Sequence, residues 1–246
     1  MRNTVQENQA VAATQAAPRF DMYTGIHKAL RAMMTDTLLA VGRMDTTDTE
    51  EVTAVSGRVL ELLDFCIGHL EHENTFVHTA LEARAPGASE LMAHEHVEHR
   101  EHIASLKRAV AAIWASPEGR CPPDAALALY RELALFVADN FHHMHAEETA
   151  HNAVLWARYT DAELIGIHDA LLASIPPAEM MFTLRWLVPY MNPAERAALL
   201  GGMREHAPAP AFAAAVETVQ PHLTLTEWAK LARALGLPPA PGLVNI

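Results

Sequence analysis

A histidine followed four residues later by a glutamate, His69–Glu73, recurs 74 positions on as His143–Glu147. On a helix that spacing puts both side chains on one face, one turn above the other. The surrounding apolar periodicity identifies the face. Val52, Val55, Val59, Leu62 and Cys66 advance in steps of three and four, and the same steps continue through His69, Glu73, Phe76 and Ala80. The second series runs Leu129, Leu133, Phe136, Asn140, His143, Glu147, Ala150 and Val154. Both motifs therefore occupy positions where a buried helical stripe takes Leu or Val.

The rest of the chain supports helices throughout. Glycine is scarce at 11 of 246 residues, and alternation of apolar and polar residues is almost absent, so the fold class is all-α. A first helix is expected from about Asp21 to Val41, with Phe20, Tyr23, His27, Leu30, Met34, Leu38 and Val41 on one face. Thr47 and Glu50 have capping-box spacing for a second helix, which ends near Arg84 before Ala85-Pro86-Gly87. A third helix starts near Ser89 and carries Met92, His96, His99, Ile103, Leu106, Val110 and Ile113 on its stripe. A fourth follows Pro122 and Pro123, with Asp124 as N-cap, and reaches about Tyr159. Long helices joined by short breaks predict an antiparallel up-down four-helix bundle.

Residues 160–246 form the remaining unit. Thr160 with Glu163, Asn192-Pro193-Ala194-Glu195, and Thr224 with Glu227 are helix openings, and Gly236 is a helix end. Met180, Met181, Phe182, Leu184, Trp186 and Leu187 are too apolar to lie in solvent. They predict an additional C-terminal all-α layer docked on the bundle, to which the sequence assigns no chemistry. The expected division is a flexible tail at 1–18, the bundle at 19–159 and the extension at 160–246.

Composition excludes several classes. A formal charge of −12 argues against nucleic acid, which needs a basic face. No run of 18 apolar residues offers a membrane span. The two cysteines, Cys66 and Cys121, make neither a disulfide framework nor a metal-binding pair, and Cys66 reads as a small core residue. Met1 to Pro18 has one Arg but no continuous apolar stretch, a poor signal peptide, so a cytoplasmic location is expected.

The polar stripe positions are His27, His69, Glu73, His96, His99, Asn140, His143 and Glu147. Each buried polar group left unpaired costs about 1–3 kcal/mol, and the set together would cost on the order of 10 kcal/mol, comparable to the stability of a whole domain at ~5–15 kcal/mol. They must hydrogen-bond to one another or hold a cation. Five histidines spread over four helices, with two carboxylates, favour the cation. Imidazole with carboxylate suits iron, manganese or zinc rather than calcium or magnesium. Two metals bridged by Glu73 and Glu147 would use every residue, each helix pair supplying terminal imidazoles to one of them. His72, His78, His142, His145 and His151 fall off the stripe and are expected to be solvated or to support ligands from outside. His168, His206 and His222 read as ordinary surface residues.

These residues resemble the hemerythrin-like (HHE) domains. That family's pattern is a His on helix 1, HxxxE on helix 2, a His or HxxxH on helix 3, and HxxxE or HxxxxD on helix 4. Here it reads His27; His69 with Glu73; His99, with His96; and His143 with Glu147, over roughly residues 19–159. On helix 3 no two histidines stand four apart. His96 and His99 are three apart, and Glu95 lies one turn before His99 as an alternative.

The resemblance implies a non-haem di-iron centre, oxo- or hydroxo- and carboxylate-bridged, with zinc or manganese as possible substitutes, that binds O₂ or a related small molecule such as NO or peroxide. A His-rich ligand set favours reversible binding or sensing over strong oxidation, and no dedicated substrate pocket is legible in the chain. The alternatives are a di-iron enzyme or repair protein in nitrosative or oxidative stress, and an iron-dependent interaction module worked by residues 160–246. Repair proteins of this kind carry an N-terminal cysteine-bearing module, and residues 1–20 contain no cysteine. Exposed apolar surface on the last helices would favour the interaction module; burial of Trp186 and Trp228 against the bundle would weaken it.

Overall fold

The structure, a computed structural model, describes residues 19–116 and 121–238. The tail expected at 1–18 lies outside them. Among the described residues the chain is all-α, with no strand.

Four long helical segments come first. Helix α1 spans Thr24–Arg43. Helix α2 spans Thr49–His72, passes through a π-helical segment at Glu73–His78 and finishes as Thr79–Arg84. Helix α3 spans Glu90–Trp114. Helix α4 spans Pro123–Ala146, has its own π-helical segment at Glu147–His151 and finishes as Asn152–Arg158. α1 packs on α2 and α4, and α3 packs on the same two, so each helix has two neighbours and the four share an interior. Leu30, Leu62, Leu106, Leu133 and Phe136 fill it. The α3 stripe is buried as expected, with Met92, His96, His99, Ile103, Leu106, Val110 and Ile113 all inside.

Five shorter helices follow: α5 Asp161–Ser174, α6 Pro177–Leu187, α7 Pro193–His206, α8 Ala209–Val219 and α9 Leu225–Leu235. The capping boxes at Thr160, Asn192 and Thr224 are all formed, and Gly236 ends α9 in the left-handed conformation, φ 61°. α6 packs on α1, and its Trp186 joins the core of the four long helices. Beside it Phe182 meets Phe65 edge-to-face at 5.4 Å between ring centres. Trp228 behaves differently. It is buried in a separate cluster with Leu184, Val188, Leu200, Val219 and Leu231, and so packs among the C-terminal helices rather than on the bundle.

Three local expectations need correction. The N-cap of α2 is Asp48, whose side chain accepts from the backbone N–H groups of Glu50 and Glu51. Thr47 is instead bound to Asp45 in the preceding turn, through its N–H and its hydroxyl. A carboxylate one residue closer to the helix wins because it sits at the first turn's free N–H groups with a full negative charge. At α4 the N-cap is Pro122, and Asp124 lies inside the first turn, because Pro123 already has the backbone angle of a first helical residue.

The third correction concerns register. The stripe predicted Phe76 and Ala80 inside after Glu73, and Ala150 and Val154 after Glu147. Val77, His78 and Leu81 are buried instead, with Ala80, while Phe76 is only half-buried; on α4 His151, Asn152 and Leu155 are buried and Ala150 is exposed. A π segment bonds i to i+5 rather than i+4 and advances the inward face by about one residue. Replacing Asp48 with Ala should lower stability by about 1 kcal/mol in urea unfolding, whereas Thr47→Ala should change it by only a few tenths.

Candidate metal centre

His27, His69, Glu73, His96, His143 and Glu147 converge between the helices at the level of the two π segments. His27, His69, Glu73 and Glu147 each bring one donor atom to within 4.8 Å of the others, and so do Glu73, His96, His143 and Glu147. The two carboxylates belong to both groups. Glu73 Oε1 lies 3.1 Å from His69 Nε2 and 3.6 Å from His27 Nε2, while its Oε2 lies 3.6 Å from His96 Nε2. Glu147 is arranged the same way. Its Oε2 is 3.5 Å from His27 Nε2, and its Oε1 is 3.3 Å from His143 Nε2 and 3.9 Å from His96 Nε2. Glu73 thus presents one oxygen to His27 and His69 and the other to His96, while Glu147 presents one to His27 and the other to His96 and His143.

Outer contacts aim three of the imidazoles. His27 Nδ1–H donates to Glu148 Oε1 at 3.0 Å, and Glu148 is itself held by Arg31. His96 Nδ1–H donates to Asn74 Oδ1 at 2.9 Å, and His143 Nδ1–H to Glu95 Oε2 at 2.7 Å. With Nδ1 protonated, each neutral ring turns the lone pair of Nε2 inward, the usual way that proteins orient a metal-binding imidazole. The Nε2 atoms of His96 and His143 then face each other at 3.0 Å. Two lone pairs at that distance need a proton or a cation between them.

The interior atoms are otherwise orphaned. Both oxygens of Glu73 and of Glu147, and Nε2 of His27, His69 and His78, are buried without a hydrogen-bond partner. Native structures leave few buried polar groups unpaired. A donor set of imidazole nitrogens and carboxylate oxygens, aimed inward and unsatisfied, fits a metal of the iron, manganese or zinc kind.

The other polar stripe residues are placed differently. His99 is buried, but it stands outside both groups; its ring is 4.8 Å from that of His143, and its Nδ1 is unpartnered. His96 is therefore the α3 residue at the centre, and Glu95 is the anchor of His143. Asn140 is satisfied by its own helix, donating from Nδ2 to the Phe136 carbonyl at 2.8 Å. Of the five off-stripe histidines, His142 and His145 are exposed and His72 is half-buried, but His78 and His151 are buried. With Glu147 they form a third convergent group. His78 stacks on His96 at 4.8 Å, and His151 Nδ1 lies 3.1 Å from the Tyr23 hydroxyl. Each is the last residue of a π segment, so constant three-four counting could not find them. His168 is half-buried and meets Phe20 edge-on, whereas His206 and His222 are exposed.

A cavity of about 460 Å³ adjoins the centre, with His69 and Glu73 on its wall and mainly apolar residues of α1, α2, α5, α6 and α7 around the rest. No sequence pattern marks this cavity. Its walls come from segments more than 100 residues apart, which no local pattern records.

Residues 20–151 match the hemerythrin HHE cation-binding domain. The match covers more than half of the chain, which therefore belongs to that family. Comparison with curated proteins and with solved structures gives no match.

The metal-free site balances its charge with protons. Burial alone would lower His27, but the hydrogen bond to Glu148 and the nearby carboxylates of Glu73 and Glu147 raise it to about 9. Burial opposes protonation of His143 too, and Glu147, Glu73 and Glu95 together raise it to about 9. Burial and the Glu73 charge push Glu147 up, yet His143 and His96 outweigh them and bring it down to about 2. His99 goes the other way, to about 3, through burial and the neighbouring His143 and His96.

For the histidines the folded value lies above the ordinary 6.5, so their contribution is complete below pH 6.5 and lost as pH rises through about 9. Glu147 contributes above its ordinary 4.5 and loses the contribution as pH falls toward 2. The thermal midpoint of metal-free protein should therefore fall between pH 7 and 9. Metal uptake at pH 7.5 should release about two protons per chain, counted by calorimetry in buffers of different ionisation heat.

Proposed function

We propose that this chain is a non-haem di-iron protein that binds or senses O₂ or a related small molecule, NO or peroxide. The observation that carries the reading is the division of the carboxylates: Glu73 turns one oxygen to His27 and His69 and the other to His96, Glu147 turns one to His27 and the other to His96 and His143, and all four oxygens lack a hydrogen-bond partner. One metal would leave half of those oxygens bare. Two would use them all.

In this reading His27 and His69 would hold one iron, His96 and His143 the other, and Glu73 and Glu147 would be shared between them. His99 stands in reserve beside His143. The iron pair would supply a redox-active place for a diatomic ligand. The protein's part is to fix the imidazoles through Glu148, Asn74 and Glu95 and to exclude bulk water. Zinc or manganese would fit the same donors.

The antiparallel up-down order of α1 to α4, the boundary near residue 159 and the docking of 160–246 as an added layer belong to the same reading. So does a cytoplasmic protein with neither nucleic acid nor membrane as partner. The charge of −12 supports the former exclusion, and no helix among the described residues is long and apolar enough to cross a membrane.

Anaerobic reconstitution with ferrous iron should give two irons per chain by elemental analysis, and air should then produce the near-ultraviolet charge-transfer absorption of an oxidised iron pair. Uptake of one iron or none ends the proposal. Replacing His69 and Glu73 together by Leu should abolish iron uptake while leaving the helical fold intact, or even raising metal-free stability by about 1–4 kcal/mol, because two buried polar groups give way to apolar ones. Unchanged iron content in that variant would contradict the assignment.

A further inference from the structure

We infer that the cavity beside the metal centre is a binding site for a neutral aliphatic molecule, held with its polar end toward His69 and Glu73. At about 460 Å³ it falls within the ~300–1,000 Å³ typical of small-molecule sites. One wall is the bundle, through Ile26 and Phe65; the other is the C-terminal helices, through Leu171, Met180 and Met203. Those helices lie beyond the residues matched to the family, so the cavity is particular to how this chain continues.

The metal centre is open on this side. The side chains of His27, His96 and His143 are 0–2 % exposed, whereas that of His69 is 10 % exposed. A molecule filling the cavity would therefore meet the centre at its one accessible imidazole.

Charge selects the chemical class. Asp21, Glu73 and Glu179 bring three carboxylates to the lining, and no Lys or Arg is among the lining residues. A fatty-acid carboxylate would meet acidic groups and no fixed positive side chain. An alcohol, aldehyde or ketone on a hydrocarbon chain avoids that repulsion, and its oxygen can hydrogen-bond to an imidazole or Thr183. Methionines in the wall add side chains that adapt to chains of different shape.

The placement of the polar end rests on the di-metal reading, but occupancy of the cavity does not. The test is titration calorimetry of the full chain, metal-free and iron-loaded, with 1-octanol, 1-decanol, 1-dodecanol and decanoate. One alcohol per chain is expected, with affinity rising about fourfold per methylene until the cavity is full, and decanoate at least tenfold weaker than decanol. Decanol should also perturb the iron absorption with the same saturation.

Leu171→Trp and Met203→Trp fill the cavity without touching the six converging residues. Each should weaken decanol at least tenfold while iron content and helical circular dichroism stay unchanged. Absence of alcohol binding to the wild-type chain overturns the inference, as does equal or tighter binding of decanoate. Undiminished binding in a folded Trp variant also overturns it. Iron uptake without alcohol binding refutes the cavity alone; alcohol binding by a chain that takes up no iron refutes the metal reading and the placement of the polar end.

Discussion

Two carboxylates buried side by side among imidazoles set the terms for everything else in this molecule. Glu73 and Glu147 are 3 % and 0 % exposed, and their charges cannot be left to water. Burying an ion costs several kcal/mol even after relaxation, and the cost is recovered only with opposite charge in good geometry. Protons on His27 and His143 meet that need in the metal-free chain, and a cation pair would meet it more completely. The same demand explains the ring of outer contacts. Glu148 with Arg31, Asn74 and Glu95 hold three imidazoles so that their inner nitrogens face the carboxylates. Without those contacts the rings could rotate away and leave the carboxylates unpaired.

How far the sequence revealed this depended on whether each signal was local. The stripe of α3 was legible in full because nothing interrupts its three-four stepping. The long helices were legible too, and so were the three capping boxes of the C-terminal segment, since each is written in four consecutive residues. Reading failed where a constant period was assumed across Glu73 and Glu147. The π segments that begin at those residues moved Val77, Leu81 and Leu155 inward and carried His78 and His151 with them. Asn140 was counted among the groups needing a partner from elsewhere, yet it reaches the carbonyl one turn behind it. His96 and His99 share one stripe, so their order of approach to the centre depended on how α3 sits against α2 and α4, a tertiary fact.

The two π segments also account for the seclusion of the site. By advancing the inward face by one residue they bring Val77, Leu81 and Leu155 together with Tyr23 and Leu164 into an apolar cluster distinct from the main core. The carboxylates therefore lie between two apolar layers, the main core and this second cluster. Low polarity on both sides strengthens each charge interaction within and raises the cost of any missing partner. A regular helix would have turned Phe76 and Ala150 toward that region instead and left His78 and His151 at the periphery. The irregularity begins at the glutamate in both halves, 74 residues apart, and widens the turn where the imidazoles crowd.

That seclusion is unequal, and the inequality follows from what lies outside α1 and α2. His96 and His143 face each other between α3 and α4, with Asn74 and Glu95 beyond them. His69 stands on the α2 surface that meets the C-terminal helices. α6 reaches the main core through Trp186, but its neighbours Leu184 and Val188 belong to the separate C-terminal cluster. A segment that divides its apolar side chains between two cores cannot close tightly on both. The space it leaves lies against His69 and Glu73, on the one side where a centre imidazole is not fully buried.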